Sequence, residues 1–227
     1  MRDRAVIFDM DGVLIDTNTA HRDAYKRFCA RHGVRLTDRD FREHVFGRTN
    51  ADVLRRLFGR LSTARIKRLE SEKEADFRRT FGPRFRTVRG ARVLLRGLRR
   101  LGVPVALATS APRTNVRFFF HKSALRGYFD VVVDSTGIRK GKPDPAIYRK
   151  AARRLKLPPA RCVVLEDSYS GILAARRAGM KVIGVATTHT RPQLERRRTH
   201  GVVSDLSGIR AVELARLAGG SGRKRGV

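Results

Sequence analysis

Asp9 and Asp11 stand two residues apart, with Gly12 directly behind them and the apolar run Ala5-Val6-Ile7-Phe8 directly in front. A short apolar run of this kind reads as a buried strand. Open α/β sheets gather their ligands at the carboxyl ends of strands. Side chains two apart on extended backbone face the same way, so the two carboxylates converge at such an end. Their mutual repulsion calls for a compensating charge, and a hard cation with oxygen ligands is the usual partner. On these residues alone, a metal site and a solvated loop holding two aspartates stay equally open.

Two further strand ends carry matching chemistry. Val103-Pro104-Val105-Ala106-Leu107-Ala108 reads as a strand that ends at Thr109 and Ser110, and Cys162-Val163-Val164-Leu165 as one that ends at Glu166 and Asp167. Between them, Gly141-Lys142-Pro143-Asp144-Pro145 reads as a rigid loop that fixes a lysine. Carboxylates for a divalent metal, a hydroxyl and a fixed cation form a set that can bind a phosphoryl group and neutralise its developing charge. Taken singly, the Thr-Ser pair is a cap, Glu-Asp a surface pair and Lys-Pro a turn. The joint placement at strand ends is what gives them meaning.

The elements that must position these residues follow from pattern. Thr17 or Asn18 caps a helix through Ala20, Ala24 and Phe28 that Gly33 ends. A second helix starts near Thr37-Asp38, Thr49 caps a third from Ala51 to Phe58, and Ser62 opens a longer one through Ile66, Leu69 and Phe77. From Gly90 to Leu101 the pattern is an amphipathic helix with Val93, Leu94, Leu98 and Leu101 on one face. A helix to about His121, a strand Phe129–Val133, and helices at Pro145–Leu155 and Ser168–Ala178 follow. Strands at Lys181–Val185 and Gly201–Val203 and a last helix Ile209–Leu217 complete the series. Alternating strands and helices imply an α/β fold with a doubly wound parallel sheet. Residues 1–16 and 88–218 make the core, 17–87 an inserted helical cap hinged at two short crossings, and 219–227 a flexible basic tail.

A chain of 227 residues can bury a substantial core. No run approaches the roughly 18 apolar residues of a membrane-spanning helix, and no apolar signal region opens the chain. Cys29 and Cys162 read as buried thiols, which fits a reducing cytoplasm. The unusual number is the net charge of +30, which comes from 41 arginines and 10 lysines against 21 acidic residues. Such a chain attracts polyanions, nucleic acid included. The arginines are spread along the polar faces of helices, however, and no nucleic-acid motif accompanies them. A solvated-face reading is favoured, and weak non-specific nucleic-acid binding is compatible with it.

Four motifs in order resemble the haloacid dehalogenase (HAD) superfamily, and within it the β-phosphoglucomutase-like phosphatases with a small helical cap. They are Asp9-Met10-Asp11-Gly12-Val13-Leu14-Ile15-Asp16-Thr17, Ala108-Thr109-Ser110, Gly141-Lys142-Pro143-Asp144-Pro145 and Leu165-Glu166-Asp167-Ser168. The resemblance spans Ala5 to about Leu217. It implies a HAD-like, Rossmann-type core, Asp9 as nucleophile and Asp11 as the acid and then base. It also implies Mg2+ held by Asp9, the Asp11 backbone carbonyl and Asp167, with Glu166 assisting through water. Thr109 and Lys142 would bind the phosphoryl oxygens, with Ser110 a weaker candidate beside them.

From the cap, His21, Gly47, Arg48 and Lys73 are candidates for substrate binding. Phe46 and Asn50 stand where the family's mutases carry a lysine and an arginine, which favours hydrolysis. The expectation is thus a Mg2+-dependent phosphatase of a small phosphorylated metabolite, most simply a sugar phosphate, acting as a monomer or small homo-oligomer with no membrane partner. A hexose-phosphate mutase, and a basic nucleic-acid-binding protein on the same fold, are the alternatives.

Binding to duplex DNA is expected to be unselective and lost between about 50 and 200 mM salt, in the full chain and in one ending at residue 218. Tight, sequence-selective binding at physiological salt would contradict the solvated-face reading.

Overall fold

Six strands lie side by side, all parallel, in the order β3-β2-β1-β4-β5-β6. They are β1 (Ala5–Phe8), β2 (Val105–Ala108), β3 (Val131–Val133), β4 (Cys162–Glu166), β5 (Lys181–Val185) and β6 (Val202–Val203). The structure is a computed structural model, and it describes residues 2–45 and 48–220. The central strands are apolar throughout because both their faces are covered. Val6, Phe8, Val105, Leu107, Val163 and Leu165 enter one core, and Ala5, Ile7, Ala106, Ala108, Cys162 and Val164 the other. That split is the two-residue alternation of a strand.

The strand order reverses between β1 and β4, which pair directly with Phe8 opposite Leu165. A reversal of this kind opens a crevice at the carboxyl ends. Asp9 leaves β1 there, and Glu166 and Asp167 close β4 beside it.

Between β1 and β2 the chain is helical. It holds α1 (Asn18–Arg31), the short α2 (Asp38–Asp40) running into a π-helical turn over Phe41–Val45, α3 (Asn50–Phe58) and α4 (Thr63–Phe81). Thr49 caps α3 by accepting from the Asp52 N–H, and Ser62 caps α4 by accepting from the Arg65 N–H. These helices close a core of their own around Tyr25, Phe28, Leu54, Ile66 and Leu69. Ala20 and Ala24 of α1 and Phe77 and Phe81 of α4 instead join the core of the sheet. The two crossings into the block are bonded to each other, with the Val88 N–H donating to the Leu14 carbonyl at 2.9 Å.

The remaining helices cover the sheet. One face carries α5 (Ala91–Arg100), α6 (Arg113–Ser123) and α10 (Ala211–Gly219), and the other α7 (Ala146–Arg154), α8 (Tyr169–Arg177) and the short α9 (Arg191–Glu195). Among the described residues no helix is long and apolar enough to cross a membrane.

Three sequence expectations are corrected, and one helix is added to those foreseen. Val93 is 74% exposed, and the buried row of α5 is Ala91, Leu94, Leu95 and Leu98. Those positions share one face at helical spacing, and residue 93 points away from it. Thr17 makes no side-chain cap to α1, since its hydroxyl donates to Asp11 Oδ1 at 2.8 Å instead. The mostly polar segment of α9 hid a helix with a single buried anchor, Leu194. α10 runs to Gly219, so that residue belongs to the helix, and the rest of the proposed tail from 221 onward lies outside the described residues.

Leu98→Ala is expected to destabilise the fold by about 2–5 kcal/mol, and Val93→Ala by less than about 0.5 kcal/mol. Urea midpoints compare them directly, and equal shifts would contradict the assignment of the α5 faces.

Candidate active site

Lys142 sits at the bottom of the crevice, fully enclosed. Its Nζ donates to Asp9 Oδ1 at 2.8 Å and to Glu166 Oε1 at 2.6 Å. Glu166 is 0% exposed, and both its oxygens are engaged. Oε1 also accepts from the Tyr148 hydroxyl at 2.8 Å, and Oε2 accepts from the Asp167 and Ser168 N–H groups and the Ser168 hydroxyl. The carboxylate lies against the first turn of α8, where backbone N–H groups favour negative charge. Gly171 leaves it room: a Cβ there would come within 1.5 Å of Glu166 Oε1.

Asp9, Glu166 and Asp167 bring one carboxylate oxygen each to within 4.8 Å of the others, all three buried. This crowding is electrostatically costly. Burial pushes Asp9 up from 3.8 to about 7, with Glu166 and Asp11 adding to the rise and Lys142 opposing it. Burial, then Glu166 and Asp9, drives Asp167 well above its ordinary value. Burial also opposes ionisation of Glu166, but Lys142 and the hydrogen bonds outweigh it and hold this group low. Lys142 is raised well above its ordinary value because Asp9 and Glu166 outweigh its burial. One ammonium therefore faces three carboxylates, a surplus of negative oxygen that fits a hard divalent cation. Gly12, at φ +76°, carries the backbone past Asp167 so closely that a Cβ would meet its carboxylate at 1.8 Å.

The Asp11 side chain lies outside that cluster and faces the helical block. Its Oδ1 accepts from the Thr17 hydroxyl and lies 3.2 Å from His21 Nε2. The His21 ring stacks on Phe77 at 3.9 Å, and its Nδ1 is 3.1 Å from Lys73 Nζ. Thr109, at the end of β2, accepts from the Ala111 N–H at 3.0 Å, which leaves its own O–H as a donor. Asp9, Asp11, His21, Arg48, Lys73, Thr109, Ser110, Lys142 and Asp167 line one cavity of about 90 Å³ beneath the helical block.

A family model described as haloacid dehalogenase-like hydrolase matches residues 4–179. The chain belongs to the haloacid dehalogenase-like hydrolase family. Validoxylamine A 7'-phosphate phosphatase of Streptomyces hygroscopicus is 32% identical over 186 residues, covering 82% of this chain and 87% of that protein. A phosphorylated carbohydrates phosphatase of Thermotoga maritima is 34% identical over 180 residues, covering 79% and 83%. The crystal structure of a HAD hydrolase of family IA, variant 3, from Entamoeba histolytica superposes with a TM-score of 0.84 at 30% identity, covering 95% of this chain and 99% of that one. The HAD fold expected from the motifs is the fold found. With phosphatases among its relatives, this HAD-family chain is a phosphoric monoester hydrolase.

The candidate site residues of the motifs and the cap converge on this cavity, apart from two. Glu166 sits directly below it, bound to Lys142. Gly47 lies outside the described residues, as does Phe46. Arg48 is exposed at the rim. Lys73 is 2% exposed, and its ammonium is engaged by Glu74 at 2.8 Å and by His21, over the Tyr25 ring. Several partners went unnamed from sequence. Tyr148 donates to Glu166, Thr188 donates to Asp167, and Asn115 and Glu74 bond one another. A buried polar residue at an inward helix position was the available signal for Tyr148, Glu74 and Asn115. Thr188, on the loop after β5, offered none.

Asp9 binds its proton more tightly folded than unfolded, so its contribution to stability is full below pH 3.8 and is lost as pH rises through about 7. A divalent cation that replaces the proton is therefore expected to raise the melting temperature more at about pH 8 than at about pH 5. Equal shifts at both would contradict a carboxylate cation site.

Proposed function

We propose that this protein is a Mg2+-dependent phosphatase that hydrolyses a small phosphorylated metabolite, most simply a sugar phosphate, through an aspartyl-phosphate at Asp9. The observation that supports it most is the pairing of Asp9 with buried Lys142 under a cavity that Asp11 and Thr109 also line. In this reading Asp9 Oδ2, which no donor among the described residues reaches, forms the bond to phosphorus as the ester P–O bond breaks. Asp11 gives its proton to the departing alkoxide, then takes one from the water that attacks phosphorus and frees Asp9. Lys142 favours the ionised form of Asp9 against its burial and offsets charge on a phosphoryl oxygen, and Thr109 donates a hydrogen bond to another.

The donor set of Asp9, Asp167 and the Asp11 backbone carbonyl suits Mg2+, with Glu166 orienting Lys142 and the Asp167-Ser168 turn from behind. The ion's chemistry here is to neutralise charge between the anionic nucleophile and the anionic ester. Residues 17–87 act as a cap, with His21 and Arg48 reaching the substrate, and the carbohydrate substrates named for the Thermotoga relative support a sugar phosphate. The two buried free cysteines support a cytoplasmic setting.

The mutase alternative is not favoured. Asn50, which stands where the mutases grip a second phosphate, is buried, and its amide donates to Glu74 at 2.6 Å and to Glu70 at 3.1 Å.

Phosphate release from a generic aryl phosphate with Mg2+ is expected, and Asp9→Asn or a chelator should lower it at least about a thousandfold. Activity retained in Asp9→Asn would overturn the reading.

A further inference from the structure

Glu74, on α4, is 3% exposed and bonded in three directions. Oε1 accepts from Lys73 Nζ at 2.8 Å and from Asn50 Nδ2 at 2.6 Å, both within the helical block. Oε2 accepts from Asn115 Nδ2 at 2.6 Å. Asn115 belongs to α6 of the sheet domain, and it is itself 1% exposed, with Oδ1 accepting from Arg78 Nη1 at 2.7 Å. Burial opposes the charge on Glu74, but the Lys73 ammonium and the hydrogen bonds from Lys73 and Asn50 outweigh it and hold the carboxyl down at about 2.

The contacts continue from Glu74 to the reacting groups. An ammonium only donates, so Lys73 makes His21 Nδ1 an acceptor and leaves the ring proton on Nε2, aimed at Asp11 Oδ1. A continuous row, Asn115–Glu74–Lys73–His21–Asp11, thus starts in the sheet domain, passes through the helical block and returns to the end of β1. Its two ends belong to the sheet domain and its middle to the block. If the block swings away, the row breaks at both ends together.

We propose that Glu74 is a positioning residue: latched to Asn115 when the helical block is closed, it holds Lys73 against His21 and so sets Asp11 for proton transfer. The role assigned to Asp11 rests on the phosphatase reading above. Asn50 secures the same carboxylate from α3, so closure, the α3 start and the proton carrier are joined through one buried anion.

The test compares leaving groups. A 4-nitrophenolate departs with little need of a proton, whereas a simple alkoxide needs one. Glu74→Gln and Asn115→Ala are expected to lower kcat/KM on an alkyl phosphate at least about tenfold more than on 4-nitrophenyl phosphate. Asn115→Ala leaves the Lys73–Glu74 pair in place, so it carries the test if Glu74→Gln does not fold. Thr114→Ala, which removes a different bond between block and sheet domain, Arg78 Nη1 to Thr114 Oγ1 at 3.2 Å, should change both substrates equally and by less than about threefold. Equal losses on the two esters in the Glu74 and Asn115 variants, or a Thr114→Ala effect matching Asn115→Ala, would overturn the proposal.

Should the wild-type chain hydrolyse neither ester, the phosphatase reading falls, and the latch is judged by distance alone. Spin labels on Arg60→Cys and Arg100→Cys, exposed sites in the block and on α5, should move apart in Asn115→Ala and stay put in Thr114→Ala. An unchanged distance distribution in Asn115→Ala would overturn the latch.

Discussion

The structure is arranged around one buried ammonium. Lys142 Nζ lies between Asp9 and Glu166, and without it three enclosed carboxylates would face one another. A buried charge that loses its partner costs about 3–5 kcal/mol, so every element that holds this contact is constrained. The direct pairing of β1 with β4 brings Asp9 and Glu166 together. The loop before α7 delivers Lys142, and α7 itself delivers the Tyr148 hydroxyl to Glu166. The first turn of α8 receives Glu166 only because residue 171 has no side chain. Even so, the lysine does not balance the site, and the remaining negative charge makes the crevice receptive to a cation.

Two aspartates that are neighbours in sequence acquire different environments from this arrangement. Asp9 is buried with Lys142 and pushed up by its surroundings. Asp11, two residues on, has turned toward the helical block and is bonded by Thr17 and His21. Carboxylates held in different surroundings are suited to different tasks, which in the phosphatase reading are attack and proton transfer. The helical block has a part in the chemistry on this account because it supplies the groups around Asp11.

What could be read from sequence divides along physical lines. The alternating strands and their turn residues made the doubly wound sheet legible, and Asp9, Asp11, Thr109, Lys142, Glu166 and Asp167 were legible because each sits at a strand end or in a rigid loop. Side chains placed by tertiary packing were not. Tyr148 lies on an ordinary amphipathic helix, and only the fold turns its hydroxyl to Glu166. Glu74 and Asn115 fall at inward helix positions, but nothing local shows that they pair across 41 residues until α4 meets α6. Thr17 looked like a helix cap because nothing local revealed that Asp11 would compete for its hydroxyl. Val93 failed for a simpler reason: a leucine-rich helix offers two apolar rows, and the sheet chose the one through Leu95.

The central claim is that Asp9 forms a covalent bond to phosphorus during turnover. A single turnover with substrate, quenched in acid, reduced with borohydride and mapped by peptide mass, reads this directly. The account predicts conversion of Asp9 to homoserine, with Asp11 and Asp167 unmodified. Reduction at another residue, or none at Asp9 under conditions where phosphate is released, would contradict it.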